Sequence, residues 1–239
     1  METQSGAGSA VRWFKMADAA SLQHAASERV VAAATLAIEH RGAFLIVLAG
    51  GDTPRATYRA LRSGVTDWSR WHVYFGDERC LPSDDAERNS AMAFDTLLSH
   101  VPIPADQVHP IAGERGADAA AAAYKSLLHG ISEFDLVILG LGEDGHTASL
   151  FPGADWGDRC NAPDVLAVFD SPKPPPQRVS LSARRLSRTR EALFLVAGAS
   201  KAGAVARWRA GDRIPAASIR PEGGVDVFVE STALSAGAR

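Results

Sequence analysis

The sequence has few cysteines, no long apolar run and no excess of basic residues. Its two cysteines, Cys80 and Cys160, stand far apart without metal-ligand spacing, as expected in a reducing cytoplasm. The longest apolar runs, such as residues 43–49, are far shorter than the ~20 residues that cross a bilayer. A net charge of -3 and a pI near 6.2 show none of the overall excess of positive charge that is typical of proteins that bind nucleic acid. We therefore expect a cytoplasmic protein with neither a membrane nor a nucleic acid as partner.

Several catalytic signatures are also missing. The chain has no GxSxG nucleophile elbow, no HExxH zinc motif and no Walker A sequence. We therefore expect no metal and no covalent nucleophile. The first ten residues, METQSGAGSA, lack the basic and apolar regions of a secretion signal. We predict a loose tail over residues 1–10, followed by a single α/β domain over residues 11–239, and we expect a monomer.

Short apolar runs of strand length alternate with helical patterns along the chain. The predicted strands are residues 11–16, 43–49, 71–75, 108–111, 134–139, 165–169, 178–182, 192–197 and 225–229. The predicted helices are residues 17–40, 54–62, 86–98, 117–128 and 201–208. Apolar residues recur at helical spacing in the first helix, at Leu22, Ala26, Val30, Ala33 and Ala37. This alternation predicts an α/β fold with a doubly wound, mostly parallel open sheet, Rossmann-like, with helices on both faces.

Four of the predicted strands end in glycine followed by polar residues. These clusters are residues 50–54, 76–79, 140–146 and 198–201. In an open α/β sheet the ligand binds outside the carboxyl ends of the strands, at a topological switch point. We therefore expect the four clusters to form one polar crevice.

The third cluster carries the clearest candidate for catalysis. Gly140, Gly142 and Gly145 leave the backbone of this turn free to adopt tight conformations, and the turn carries Asp144 and His146. An imidazole can accept a proton from water near neutral pH, so His146 is the predicted general base. An ordinary strand-to-helix turn is the alternative interpretation.

This cluster also bears on a dinucleotide cofactor and on the carboxylate that acts on His146. The same letters, GLGEDG, fit the dinucleotide fingerprint GxGxxG, but Pro152 and Gly153 end the segment before a long helix can form. No nicotinamide or flavin cofactor is therefore expected. Asp144 or Asp77 is predicted to orient His146 or to share its proton.

The first cluster is predicted to bind an anion. Gly50 and Gly51 allow a ligand to approach the backbone, Thr53 is the predicted N-cap, and Pro54 suits the first helical position. A phosphate would then lie at the positive end of the helix dipole. A plain capped helix without a ligand is the alternative.

Three basic residues stand at the ends of these strand and helix units. Arg79, Arg178 and Lys201 are candidates for charge-assisted contacts to the same anion. Most such side chains are solvated surface charges, so the argument depends on their convergence.

The strings LAGGDTPRATYRAL, FGDERCLPSDDAERNS and LGLGEDGHTASLFPG, with residues 178–181 and 198–201, resemble the 6-phosphogluconolactonase family. The resemblance covers nearly the whole chain after the tail. It implies hydrolysis of 6-phosphoglucono-1,5-lactone to 6-phosphogluconate without a cofactor, the second step of the oxidative pentose phosphate pathway. The sugar-phosphate lactone is then the expected small-molecule partner.

Two alternatives remain beside this interpretation. The related glucosamine-6-phosphate deaminases have a glutamate, which supports the ring-opening histidine, where this chain has Phe151. The triplet of residues 77–79, Asp-Glu-Arg, also has the lactonase form. A non-catalytic sugar-phosphate sensor is the other alternative, but no DNA-binding helix-turn-helix precedes the domain.

The resemblance implies roles for the candidate residues. The 6-phosphate is expected at residues 50–53 with Arg178 and Lys201, while His146 activates the water that attacks C1. Backbone N–H groups of the 140–145 turn, or Arg79, are expected to stabilise the oxyanion. Asp52 departs from the family's usual serine, and we expect its carboxylate to turn away from the phosphate.

Overall fold

A large, mostly parallel sheet and a small antiparallel sheet form the centre of the structure, a computed structural model that describes residues 2–4 and 10–234. The strands in chain order are Glu2–Gln4 (β1), Val11–Met16 (β2), Phe44–Leu48 (β3), Trp71–Phe75 (β4), Asp77–Arg79 (β5), Phe134–Gly140 (β6), Val165–Val168 (β7), Arg178–Leu181 (β8), Thr189–Val196 (β9) and Val225–Glu230 (β10). The large sheet has the order β1-β2-β10-β9-β6-β3-β4, and each pair from β2 to β4 is parallel. The predicted mostly parallel sheet is confirmed.

Helices cover both faces of the large sheet. They are Ala19–Arg41 (α1), Asp52–Leu61 (α2), Asn89–Ala93 (α3), Ala117–Leu127 (α4), Ala183–Leu186 (α5), Ala202–Arg209 (α6) and Ser231–Leu234 (α7). From α1, Arg29 forms an ion pair of 2.7 Å with Glu191 of β9. From α6, Trp208 packs edge-on against Phe194 of the same strand, with ring centroids 4.7 Å apart. Side chains alternate along a strand, so Glu191 and Phe194 point to opposite faces and the predicted doubly wound arrangement is confirmed.

Helix α1 follows the sequence prediction closely. All five apolar residues of the predicted face are buried against the core. Asp18 caps the start, accepting a hydrogen bond of 2.8 Å from the N–H of Ser21. Gly42 ends the helix in the left-handed region, at φ 78°, where its N–H reaches the carbonyl of Ile38.

The direction of the chain reverses beside β3. After β3 the chain continues outward to β4, and it then returns to β6 on the other side of β3. The loops that leave the carboxyl ends of β3 and β6 therefore diverge and leave a crevice between them, as expected at a topological switch point.

The small sheet corrects part of the prediction. Residues 165–169 and 178–182 were expected to continue the parallel sheet, but β7 and β8 pair antiparallel, and β8 also pairs with the unpredicted strand β5. Gly76 joins the two sheets, because its N–H donates to Leu48 of β3 and its carbonyl accepts from the N–H of Leu181 in β8. A strand-length apolar pattern does not reveal which sheet a strand joins.

Three other segments also differ from the prediction. Residues 108–111 form no strand, only a single bridge between Val108 and Val73. The helix predicted over residues 86–98 begins at Asn89 and continues as a π-helical turn, Phe94–Leu98. Residues 2–4 of the predicted loose tail form β1, antiparallel to β2, whereas residues 1 and 5–9 lie outside the described part. The division into a tail and one domain stays a prediction.

No helix in the described ranges 2–4 and 10–234 is long and apolar enough to cross a membrane.

Candidate active site

A polar cleft of about 470 Å³ lies at the carboxyl ends of β3, β6 and β9. Ten of the twelve predicted site residues line it: Gly50, Gly51, Asp52, Thr53, Asp77, Arg79, Gly142, His146, Arg178 and Lys201. The other two, Asp144 and Gly145, belong to the turn that carries His146 without lining the cleft. The clusters that follow different strands therefore converge on one site.

The glycine turn after β6 is closed by its own backbone. The N–H of Gly142 donates to the carbonyl of His146 at 2.8 Å, and the N–H of Gly145 donates to the carbonyl of Gly142 at 3.0 Å. Gly145 has φ 87°, and a Cβ added at Gly142 would overlap the imidazole of His146. Glycine at these positions therefore allows the turn to hold the imidazole against its backbone.

Asp144 holds the imidazole of His146. Its Oδ1 lies 2.5 Å from Nδ1 of the ring and also accepts from the N–H of His146 at 3.2 Å. If Nδ1 carries the proton of this hydrogen bond, Nε2 keeps its lone pair. Asp77 makes no hydrogen bond to His146, so Asp144 is the orienting residue of the two candidates.

The protonation of this pair favours a neutral imidazole at neutral pH. Burial lowers the pKa of His146, although Asp144 and Asp77 act to raise it. Burial acts to raise the pKa of Asp144, but the hydrogen bonds and charge of His146 hold it below its usual value. His146 is therefore in the form that can accept a proton.

The phenyl ring of Phe151 packs beside His146. The two ring centroids are 4.9 Å apart, and Phe151 is buried. The guanidinium of Arg178 lies 5.8 Å from the centroid of the same phenyl ring. An apolar ring thus occupies the position next to the histidine where the related deaminases have a carboxylate.

Asp77 is held by neighbours from two other segments. Its Oδ2 accepts from the hydroxyl of Ser149 at 2.6 Å, and its Oδ1 accepts from the amide of Asn89 at 2.9 Å. Asp77 is only 6% exposed but lines the cleft. A carboxylate with two fixed donors keeps its charge at one place in the site.

The fully buried carboxylate of Glu78 connects β5 to the start of α3. It accepts from the backbone N–H groups of Arg79, Asn89 and Ser90 at 2.7 to 2.9 Å. It also accepts from the hydroxyl of Ser90 at 2.6 Å. The N-terminal N–H groups of a helix need such acceptors, and Glu78 supplies them from another strand. This network places Asn89 in the cleft.

The predicted start of helix α2 is wrong by two residues. The helix begins at Asp52, with Gly51 as N-cap at φ 104°, so Thr53 lies inside the first turn and is not the cap. Because glycine adopts this φ without strain, the helix can start earlier than the Thr-Pro pair suggests. Residues 50–54 line the cleft, so the start of this helix, with its unpaired backbone N–H groups, lies at the cleft, as anion binding requires.

Neighbouring residues complete this end of the cleft. A Cβ at Gly50 would overlap the side chain of Asn89, so only glycine fits there. Ser200 and Lys201 line the cleft from the loop that follows β9. Asp52 is exposed and makes no ion pair with Arg55 in the part of the chain that is described, so the helix N-terminus is the nearer partner for its charge.

Arg79 and Arg178 each use part of the guanidinium group in hydrogen bonds within the protein. Nε and Nη2 of Arg178 donate to the carbonyls of residues 173–175, whereas its Nη1 makes no hydrogen bond to any described residue. The sequence suggested no such loop contact for Arg178. Arg79 donates through Nη1 to the carbonyl of Glu87, and its buried Nε has no hydrogen-bond partner among the described atoms.

Sequence reasoning missed several residues that line the cleft, among them Asn89, Thr147, Lys173 and Ser200. Thr147 and Ser200 lie inside motifs already recognised, so their position beside His146 and Lys201 was a usable signal. Asn89 also lies inside a recognised motif, FGDERCLPSDDAERNS, but twelve residues after Asp77, whereas Lys173 lies in a proline loop that carries no such signal. No group of three or more His, Cys, Asp or Glu side chains in the described ranges is arranged to hold a metal ion.

Comparisons with known proteins give a consistent result. Residues 17–228 match the family model described as glucosamine-6-phosphate isomerases/6-phosphogluconolactonase. The 6-phosphogluconolactonase of Mycobacterium tuberculosis is 42% identical over 79% of this chain and 82% of its own length. That of Mycobacterium leprae is 40% identical over 87% of this chain and 89% of its own. The structure of the Thermotoga maritima 6-phosphogluconolactonase superposes with a TM-score of 0.85 at 28% identity, covering 92% of this chain and all of that one.

Proposed function

The chain belongs to the family of glucosamine-6-phosphate isomerases and 6-phosphogluconolactonases, and we propose that it hydrolyses 6-phospho-D-glucono-1,5-lactone to 6-phospho-D-gluconate with His146 as general base. It is a hydrolase of the 6-phosphogluconolactonase class. The observation that supports the mechanism is the Asp144–His146 pair in a cleft that also contains a helix N-terminus and Lys201.

The phosphate is proposed to bind at the start of α2. The N–H groups of the Gly50 to Thr53 segment supply hydrogen bonds, and the helix dipole favours a negative charge there. Lys201 adds a cation from the loop after β9, and Arg178 has one nitrogen, Nη1, that is not used by the loop carbonyls. This anchor leaves the lactone ring to extend across the crevice toward His146.

The chemistry is proposed to start at Nε2 of His146. This nitrogen takes a proton from a water molecule while the water oxygen forms a bond to C1 of the lactone. The electron pair of the carbonyl moves to its oxygen, which becomes an oxyanion. When the carbonyl reforms, the bond between C1 and the ring oxygen breaks, and His146 returns its proton to the ring oxygen. Asp144 holds the ring throughout and stabilises the imidazolium.

No observation favours the deaminase alternative. In the related deaminases a glutamate supports the histidine, but the matching position here holds Phe151, whose ring can neither accept a conventional hydrogen bond from an imidazole nor take its proton, and Asp144 is the carboxylate that contacts His146. Asp77 already accepts from Ser149 and Asn89, and it makes no hydrogen bond to His146. Lactone hydrolysis needs a base and a water molecule. His146 is the proposed base, and the cleft of about 470 Å³ has room for water beside a substrate.

The decisive experiment is a direct assay on freshly generated 6-phosphogluconolactone, corrected for its spontaneous hydrolysis. We expect saturable hydrolysis by the wild-type protein and no deamination of glucosamine 6-phosphate. Binding of sugar phosphates without turnover of either substrate would instead support a sensor. The place in the oxidative pentose phosphate pathway, the cytoplasmic location, the monomeric state and the lack of a nucleic acid partner stay predictions.

A further inference from the structure

A proline loop, residues 171–177, lies between β7 and β8 and forms part of the cleft wall. It reads Ser-Pro-Lys-Pro-Pro-Pro-Gln, and Lys173 is the one residue of this loop that lines the cleft. The mechanism proposed above assigns no task to the loop or to this lysine. His146, Asp77 and Arg79 line the same cleft.

Arg178 holds the backbone of the proline loop through three hydrogen bonds to its carbonyls. Nη2 of Arg178 donates to the carbonyls of Lys173 and Pro174 at 3.1 and 2.9 Å, and Nε donates to that of Pro175 at 3.2 Å. The hydroxyl of Ser171 donates to the carbonyl of Lys173 at 2.8 Å. Four prolines restrict the φ angles of the same loop. The Cα of Lys173 is therefore fixed beside the cleft, although its side chain is exposed.

The ammonium of Lys173 acts on the imidazole. Burial is the main cause of the lowered pKa of His146, and the charge of Lys173 lowers it further, while Asp144 and Asp77 oppose both effects. Lys173 is the one cation among these influences, and neither arginine of the cleft is among them. The contacts agree with this, because Arg178, which donates to the carbonyl of Lys173, also lies 5.8 Å from the ring centroid of Phe151, and that ring is 4.9 Å from His146. The proline loop therefore lies at the His146 end of the cleft.

Some of the other candidates for the oxyanion are engaged within the protein, and the unpaired Nε of Arg79 is buried. The N–H groups of Gly142 and Gly145 donate within their own turn. One terminal nitrogen of Arg79 donates to Glu87. Nζ of Lys173, in contrast, makes no hydrogen bond or ion pair with the described residues. Of Arg79, Arg178 and Lys173, only the lysine makes no side-chain hydrogen bond to the described residues.

On the basis of the proposed function, we infer that Nζ of Lys173 donates to the C1 oxygen of the lactone and stabilises the oxyanion that forms when water attacks. Arg178 then has a second task as the positioning residue of the proline loop. The step needs no further reactant, since the proton goes from water to His146 and then to the ring oxygen.

The test compares Lys173→Met with Lys173→Arg and with the control Lys125→Met, which removes an exposed lysine of α4 that does not line the cleft. We expect kcat of Lys173→Met to fall about 10²- to 10³-fold, as when one oxyanion donor is removed, with less than a threefold change in KM. Lys173→Arg should recover part of kcat, and Lys125→Met should equal the wild type. The apparent pKa of kcat/KM should also rise in Lys173→Met, because a cation near His146 is lost.

The outcomes separate this inference from the proposed function. An active wild type with unchanged kcat in Lys173→Met would overturn the inference alone. A higher KM and weaker binding of 6-phosphogluconate at unchanged kcat would assign Lys173 to the phosphate, and would overturn it too. A wild type without activity above the spontaneous rate would remove the proposed function and this inference together.

Discussion

The carboxylate of Asp144 lies 2.5 Å from Nδ1 of His146, and the two residues are separated by a single glycine. The same oxygen accepts the backbone N–H of His146, so the turn and the ring are fixed by one acceptor. This contact leaves Nε2 as the nitrogen that can act on water. The first two predictions below depend on this arrangement.

The first prediction tests the base. His146→Asn should lower kcat about 10²- to 10⁴-fold, because a positioned proton acceptor is lost while a polar side chain of smaller size remains. The far-UV circular dichroism spectrum should not change. His24→Asn, which alters an exposed histidine of α1, is the control and should keep full activity. A folded His146→Asn protein with most of its kcat would show that another group is the base.

The second prediction concerns pH. Burial lowers the pKa of His146 from its ordinary value, so kcat/KM should rise with pH through a midpoint below that of an ordinary histidine and stay level at neutral pH. The charge of Asp144 acts to raise that pKa, and Asp144→Asn should therefore move the midpoint to lower pH and reduce kcat. The measurement is a pH profile of kcat/KM for both proteins. A midpoint at higher pH in the variant would contradict the assigned contact.

The third prediction concerns the phosphate. Lys201→Ala should weaken binding of 6-phosphogluconate about ten- to a hundredfold, the loss of one hydrogen bond to a charged group. Arg178→Ala should also weaken it, and Lys125→Ala should not. Isothermal titration calorimetry measures these constants. Wild-type protein should strongly prefer the phosphorylated lactone, and equal turnover of gluconolactone without phosphate would remove the anion site at α2.

The fourth prediction concerns Asp52. This residue is exposed at the first position of α2, where a carboxylate is favoured by the helix dipole. Asp52→Ser should therefore change the dissociation constant of 6-phosphogluconate by less than about fivefold, which is roughly 1 kcal/mol. A much larger gain in affinity would show that the carboxylate points at the phosphate and repels it.

The fifth prediction concerns the buried carboxylate of Glu78. In Glu78→Gln one acceptor oxygen becomes an amide donor that faces backbone N–H groups, so we expect the free energy of unfolding to fall by about 3 kcal/mol. Because Asn89 and Asp77 depend on this network, kcat should fall as well. Urea unfolding gives the stability. Glu39→Gln on the exposed side of α1 is the control and should change it by less than about 0.5 kcal/mol.

Local sequence patterns predicted the features that depend on local geometry. The period of the apolar residues predicted α1 and its buried face, and continuous apolar runs predicted the buried strands of the parallel sheet. Asp144 and His146 are two residues apart in a glycine turn, so their contact was within reach of the sequence. The same holds for the strand-end clusters, because parallel strands bring their carboxyl ends to one edge.

Start positions of helices were less predictable, for a backbone reason. Thr53 and Pro54 fit the sequence pattern of a helix start, yet the conformation of Gly51 lets α2 begin at Asp52. Glycine occupies both positive and negative φ values, so its presence alone does not reveal which one a turn adopts. The anion site at this loop stays a prediction, and the residue predicted as its N-cap was wrong.

Tertiary structure alone decided the contacts between distant segments. The sequence determined the α/β class and the residues that follow each strand, since these depend on periodicity and on neighbours along the chain. It did not reveal that β5, β7 and β8 form a separate sheet, that Glu78 holds Asn89, or that Arg178 holds the loop of Lys173. The pairing of β5 with β8 and the contact of Glu78 arise when segments about 10 to 100 residues apart pack together. Arg178 reaches carbonyls only three to five residues before it, but no local pattern specifies which side chain meets which carbonyl.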